Sequence, residues 1–192
     1  SVCYQNACNA ARRFEHVQVV DSLNLSSAQG LIVMEGAELA QDQTLDEVQI
    51  AQRMREIVPK VDGSFVLENL EYLRKGGRCS TVAALGANVL KLKPCLEMRE
   101  GNLVVCKKYR GAMEKVYRQY VTERLADKAV VDDWAFITHS GEVSEETLQE
   151  LTALVRELAP FEEVFVTQAG CTVSSHCGPG TLGVLFLRQP EQ

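Results

Sequence analysis

Leu73-Arg74-Lys75-Gly76-Gly77-Arg78-Cys79-Ser80-Thr81 is the stretch from which the rest of the chain can be placed. A helix-like run meets two glycines here, and a second helix begins almost at once. Gly76 and Gly77 can supply the positive φ that a helix C-terminus commonly needs, and Ser80 or Thr81 can cap the helix that follows. Arg78 is thereby predicted on a constrained turn beside a helix N-terminus. Its guanidinium has five donors in a fixed fork, a geometry suited to a carboxylate or phosphate. Two readings are open from these residues: an anion site, or an arginine that pairs with a nearby Asp or Glu or lies in solvent.

Outward from that junction, residues 64–68 alternate as a strand and residues 70–75 form the short helix that the glycines end. Residues 81–92 continue as a small, apolar helix carrying Ala83, Leu85, Ala87, Val89 and Leu90. Residues 93–98 and 102–108 then pair as a hairpin around Arg99-Glu100-Gly101-Asn102. A long helix after Gly111 runs to about residue 126, and residues 134–138 form a strand. Ser144-Glu145-Glu146-Thr147 starts a helix that Pro160 stops, and strands follow at 164–167 and 182–187. Strands separated by helices, with one hairpin among them, predict an α+β domain over residues 61–192, its mostly antiparallel sheet covered by helices.

Residues 1–60 have a different rhythm. A helix through Arg12-Arg13 leads to a short apolar strand with Val17, Val19 and Val20, which ends in Asp21-Ser22. Ser26 or Ser27 can cap a helix over residues 28–40. Thr44 and Glu47 have capping-box spacing before Val48, Ile50, Ala51, Met54 and Ile57, and Pro59 ends that helix. The segment reads as the C-terminal half of a doubly wound parallel-sheet α/β domain. Ligands in such folds sit at the carboxyl ends of strands, which would bring Asp21, Ser22 and the loop to Gly30 near a site. Equally, Asp21-Ser22 can serve only to turn the chain.

Residues 170–181, Gly-Cys-Thr-Val-Ser-Ser-His-Cys-Gly-Pro-Gly-Thr, form the second unusual stretch. Gly178-Pro179-Gly180 is a rigid turn poor in side chains, so a ligand can approach its backbone. His176 before it can donate to a carboxylate or move a proton, or be satisfied by backbone carbonyls. Cys171, His176 and Cys177 lack a fourth zinc ligand at a usual spacing. Cys177 as a nucleophile with His176 or His139 defines a rival hydrolase or transferase reading, although no acid orienter is evident. His139 at a strand end reads as structural.

The 192 residues carry a net charge of −6 and no long basic run, so nothing points to nucleic acid. Lys107-Lys108-Tyr109-Arg110 reads as a solvated strand end. No stretch has the length and apolarity of a membrane helix, and residues 1–15 lack a signal-peptide core, so the expectation is a cytoplasmic protein without stable membrane insertion. Seven scattered cysteines with no CxxC pair read as reduced thiols.

Val20-Asp21-Ser22 with Gln29-Gly30, Leu70-Glu71-Tyr72-Leu73-Arg74-Lys75-Gly76-Gly77-Arg78, Lys93-Pro94, Arg110-Gly111 and His176-Cys177-Gly178-Pro179-Gly180 together resemble the DegV family of bacterial fatty-acid-binding proteins, over nearly the whole chain. The resemblance implies two domains with a long-chain fatty acid between them, its tail in an apolar tunnel and its carboxylate on polar side chains. It implies the acyl-binding subunit of a bacterial fatty acid kinase, which presents the carboxylate to a separate ATP-using subunit so that acyl phosphate forms. No cofactor is implied beyond the bound lipid, and no nucleotide site, because the chain has no Gly-x-x-x-x-Gly-Lys loop.

By position, Arg78 and His176 match the family's carboxylate or phosphate ligands. Ser1 falls where the family has the serine of a Ser-Gly-Thr-Tyr segment, although Val2 and Cys3 stand here in place of glycine and threonine. The family also has roughly another half-domain ahead of Ser1, with a Thr-Ser pair that meets the carboxylate, so the chain reads as N-terminally truncated. Burying an acyl chain at about 0.8 kcal/mol per methylene is worth on the order of 10 kcal/mol gross. The carboxylate must then be paired, or its desolvation cancels much of that gain.

Overall fold

The computed structural model describes residues 2–77, 92–126 and 129–189. Six strands form one sheet: β1 (Val61–Val66), β2 (Lys93–Arg99), β3 (Asn102–Tyr109), β4 (Val130–His139), β5 (Glu163–Gln168) and β6 (Leu182–Arg188). Their order is β3-β2-β1-β6-β4-β5. All neighbours are antiparallel except β4 and β5, which α6 (Glu145–Leu158) links as a parallel pair. The expected mostly antiparallel, helix-covered sheet is therefore present.

Each face of the sheet has its own cover. On one lie α5 (Met113–Leu125) and α6, which bury Val116, Tyr117, Tyr120, Val121, Leu151 and Val155 against Val66, Ala135, Ile137, Val184 and Phe186. Tyr120, fully enclosed, donates its hydroxyl to the Ser64 carbonyl at 2.8 Å and accepts from Val184 N at 2.9 Å, so one phenol joins the two central strands. On the other face α2 (Ser26–Leu39) places Ala28, Leu31 and Ile32 on Val61, Leu185 and Leu187. α3 (Glu47–Ile57) packs against α2, while α1 (Val2–Ala11) buries no residue. Two shorter helices, α4 (Glu71–Lys75) and α7 (Cys171–Cys177), pack together beyond the end of β1.

Local signals account for most elements. Ser144 Oγ accepts from Thr147 N to cap α6, and Glu100 and Gly101, with φ of 49° and 77°, close the β2–β3 hairpin.

Three expectations are corrected. No strand forms at residues 17–20: among the described residues none precedes β1 and no strand pairs with Val17–Val20, where the Val19 carbonyl instead accepts from Arg55 Nη2 at 3.4 Å, and Val17 stays exposed. The capping box of α3 belongs to Asp46 and Gln49 rather than Thr44 and Glu47, since Thr44 is engaged with Asp42. Neither Ser26 nor Ser27 caps α2, and Ser27 instead meets the Thr138 and Thr167 hydroxyls. The predicted helix at 81–92 lies largely outside the described residues.

Candidate functional site

The two glycine-bearing stretches meet. α4 starts where Asn69 Oδ1 accepts from Glu71 N at 2.9 Å, is braced by a Glu71–Lys75 pair at 2.6 Å, and anchors through buried Leu70 and Leu73. It ends at Gly76, whose φ of −76° is one that any residue adopts, and only Gly77 has the positive φ expected of both. What demands glycine at 76 is the neighbour. A Cβ there would collide with His176 Nδ1 and lie 2.9 Å from Cε1. His176 therefore sits directly on the backbone two residues before Arg78.

The reverse contact holds the other loop. Gly178, with φ 79° and ψ 170°, lies so close to the Tyr72 ring that a Cβ would fall 2.8 Å from Cε2. Hydroxyls fix the rest of the turn. Ser140 Oγ donates to the Gly178 carbonyl and accepts from Thr181 N at 3.2 Å, Thr181 Oγ1 lies 3.1 Å from the Cys177 and Gly178 carbonyls, and Tyr117 donates to the Gly180 carbonyl at 2.7 Å. His176 stands at the last turn of α7 rather than on an open loop. Its Nδ1 is buried without a hydrogen-bond partner among the described residues. A buried, unpaired ring nitrogen is costly, and hydrogen-bonding to a ligand atom would remove that cost.

Beneath α7 lies an apolar crevice of about 40 Å³ lined by Leu25, Phe65, Val173, Cys177 and Leu185, with Ser26, Thr138 and His139 at its edge. Cys177 packs among Phe65, Leu67, Leu73 and Leu96, and burial pushes its thiol up to about 11, the opposite of an activated nucleophile. His139 accepts from Gly141 N at 3.3 Å, and burial lowers its pKa. No group of three or more His, Cys, Asp or Glu among the described residues is placed to hold a metal ion.

Of the site residues expected from sequence, only His176 can be located, because Ser1 and Arg78 lie outside the described residues. Asp21 and Ser22 form a local turn, with Asp21 Oδ1 accepting from Leu23 N at 3.2 Å. Asp21 faces a charged cleft of about 980 Å³ with Asp62, Glu97 and Arg124, at the opposite end of β1 from His176. Sequence reasoning missed Tyr72, Ser140 and Thr181 as the residues that set the glycine turn. Tyr72 stood inside the quoted motif, but nothing local signals its contact with Gly178.

Two glycine-bearing turns thus converge on His176, whose Nδ1 is buried, beside the mostly antiparallel sheet of an α/β protein. The sequence profile described as "uncharacterised protein, DegV family" matches residues 1–189, and the chain belongs to the DegV family. It is 30 % identical over 189 residues to a DegV domain-containing protein of Clostridium acetobutylicum, covering 97 % of this chain and 65 % of that protein. The chain thus spans just under two thirds of the curated relatives it matches.

Among solved structures, the Thermus thermophilus DegV family protein described for fatty acid binding superposes with a TM-score of 0.81 at 27 % identity, over 98 % of this chain and 67 % of that one. The Streptococcus pneumoniae fatty acid kinase (Fak) B3 protein, loaded with linoleic acid, shares the fold at a TM-score of 0.78 and 20 % identity, over 96 % and 64 %. No described helix is long and apolar enough to cross a membrane.

Proposed function

We propose that this chain is the acyl-binding part of a fatty acid kinase system: it binds a long-chain fatty acid and presents the carboxylate to a separate ATP-dependent kinase subunit, without being an enzyme itself. His176, Arg78 and Ser1 hold the carboxylate. The observation that carries this reading is His176, its buried Nδ1 unpaired and its ring seated on Gly76, two residues before Arg78. The fatty acids named for the Thermus and Streptococcus relatives favour the same ligand class.

The tail enters the crevice under α7. At about 40 Å³ that space is roughly a tenth of an ordinary small-molecule pocket, so lipid entry requires the segment at Leu23–Ser26 to give way. Leu23 and Ser26 both have left-handed φ, 49° and 54°, which makes this segment the strained wall. The division into residues 1–60, as the remainder of an N-terminal α/β domain, and residues 61–192 belongs to this proposal.

Native purification followed by lipid extraction and mass spectrometry is expected to find long-chain fatty acid, and a fluorescent fatty acid is expected to bind. His176→Ala removes a hydrogen bond to a charged group, worth about 1.5–3 kcal/mol, so affinity should fall by about tenfold or more. Unchanged affinity would remove His176 from the site. Turnover of a model ester that is lost in Cys177→Ala would replace the binding reading with the hydrolase one.

A further inference from the structure

β2 and β3 pair with one irregularity. Cys95 is opposite Lys107, but Leu96 is opposite Val105, so Cys106 is the extra residue of a β-bulge. Strict alternation along β3 would put Cys106 and Lys107 on opposite faces. The bulge resets it: Leu103 and Val105 join the apolar cluster under α4, whereas Cys106, Lys107 and Tyr109 all turn toward α5. Cys95 turns to that same side, in the core beneath α5. Two cysteines of adjacent strands are thereby brought together, with Cys106 Sγ 3.4 Å from the Cys95 carbonyl oxygen.

The two thiols differ. Cys95 is 2 % exposed, whereas Cys106 is half-buried and reachable by a small oxidant. Interaction with the Cys95 thiol lowers the Cys106 pKa, against burial and the Glu97 carboxylate and with a smaller contribution from Arg124. The same contact, with burial, pushes Cys95 up. The more accessible Cys106 sulfur is thus placed to meet an oxidant first, with the enclosed Cys95 behind it to follow.

We propose that Cys95 and Cys106 are a peroxide-responsive dithiol that closes to a reversible disulfide across the β2–β3 bulge. The Cys106 thiolate sulfur attacks a peroxide oxygen, the O–O bond breaks, and the departing hydroxide takes a proton to leave as water. Cys106 is then a sulfenic acid. The Cys95 sulfur attacks it, the S–O bond breaks, the Cys95 proton leaves with the hydroxyl as a second water, and the S–S bond forms. Two thiols lose two hydrogens and one hydrogen peroxide becomes two waters. A thiol reductant reverses the bond by exchange. Neither sulfur belongs to the proposed lipid site, so this inference stands apart from that reading.

The test treats the native chain with a few equivalents of hydrogen peroxide, blocks remaining thiols with iodoacetamide, and digests with trypsin without reductant. Cleavage at Arg99 separates the two cysteines, so the disulfide appears as two joined peptides that dithiothreitol parts. The Cys95–Cys106 link is expected to form at least tenfold faster than irreversible oxidation of Cys106. Cys95→Ser should send Cys106 on to sulfinic acid, and Cys106→Ser should leave Cys95 reduced at the same dose. Overoxidation of Cys106 in the unaltered chain, its linkage to any other cysteine, or its inertness while exposed Cys3 and Cys171 react would each overturn the proposal. The measurement on the unaltered chain decides the matter even if a variant fails to fold.

Discussion

Gly76 has an ordinary right-handed backbone, so alanine there meets no conformational penalty; the obstacle is the His176 ring. Gly76→Ala is therefore expected to cost about 1–3 kcal/mol through overpacking, read as a lower urea midpoint. Adding His176→Ala empties the place where the new methyl collides and should restore most of the loss. If the two substitutions simply add, the ring contact is not what requires glycine. Residue by residue, sequence reasoning singled out the two stretches that meet at Gly76 and His176 but misassigned Gly76 to a positive φ. Spacing along the chain reports backbone needs. It carries no record of a ring arriving from about a hundred residues away.

Elements whose signals are local were legible: the β2–β3 hairpin, the Ser144 cap and the long α5. Residues 17–20 were not, because strand pattern alone cannot create a pairing partner. The bond between α5 and the sheet was likewise hidden. Arg124 donates through Nε to Asp62 of β1 at 2.6 Å and through Nη1 to Glu97 of β2 at 2.9 Å, and both carboxylates are buried.

Arg124→Leu removes the cation that both carboxylates share, leaving Glu97 to Arg99 and Asp62 to Arg188 at 3.9 Å, and should cost about 1.5–3 kcal/mol at neutral pH. Burial raises the Glu97 pKa, but Arg124 and Arg99 outweigh it and hold it below the ordinary 4.5. A depressed carboxylate stabilises the fold above the unfolded-state value and loses that contribution as pH falls through the folded-state value. The unaltered chain should thus lose stability below about pH 4.5, while the deficit of Arg124→Leu shrinks there as Glu97 is neutralised. Melting temperatures recorded against pH test both trends.

Across the whole molecule, the mostly antiparallel helix-covered sheet was readable from element order, whereas strand order was not. Nothing in residues 182–188 shows that β6 lies between β1 and β4. Tyr120 marks that centre. Tyr120→Phe leaves the Ser64 carbonyl and Val184 N–H without their shared hydroxyl and should cost about 1–3 kcal/mol in urea unfolding, with the circular dichroism of the folded state unchanged.

The central place of β6 also bears on how the chain is made. β1, β2 and β3 leave the ribosome as one flank, β4 and β5 as the other, and neither has its middle until residues 182–188 emerge. Until then the apolar edges of β1 and β4 are open to chaperones, proteases and neighbouring nascent chains. The same strand follows directly on Gly178-Pro179-Gly180, so during synthesis the histidine turn has no place against Gly76 until that part of the chain has emerged.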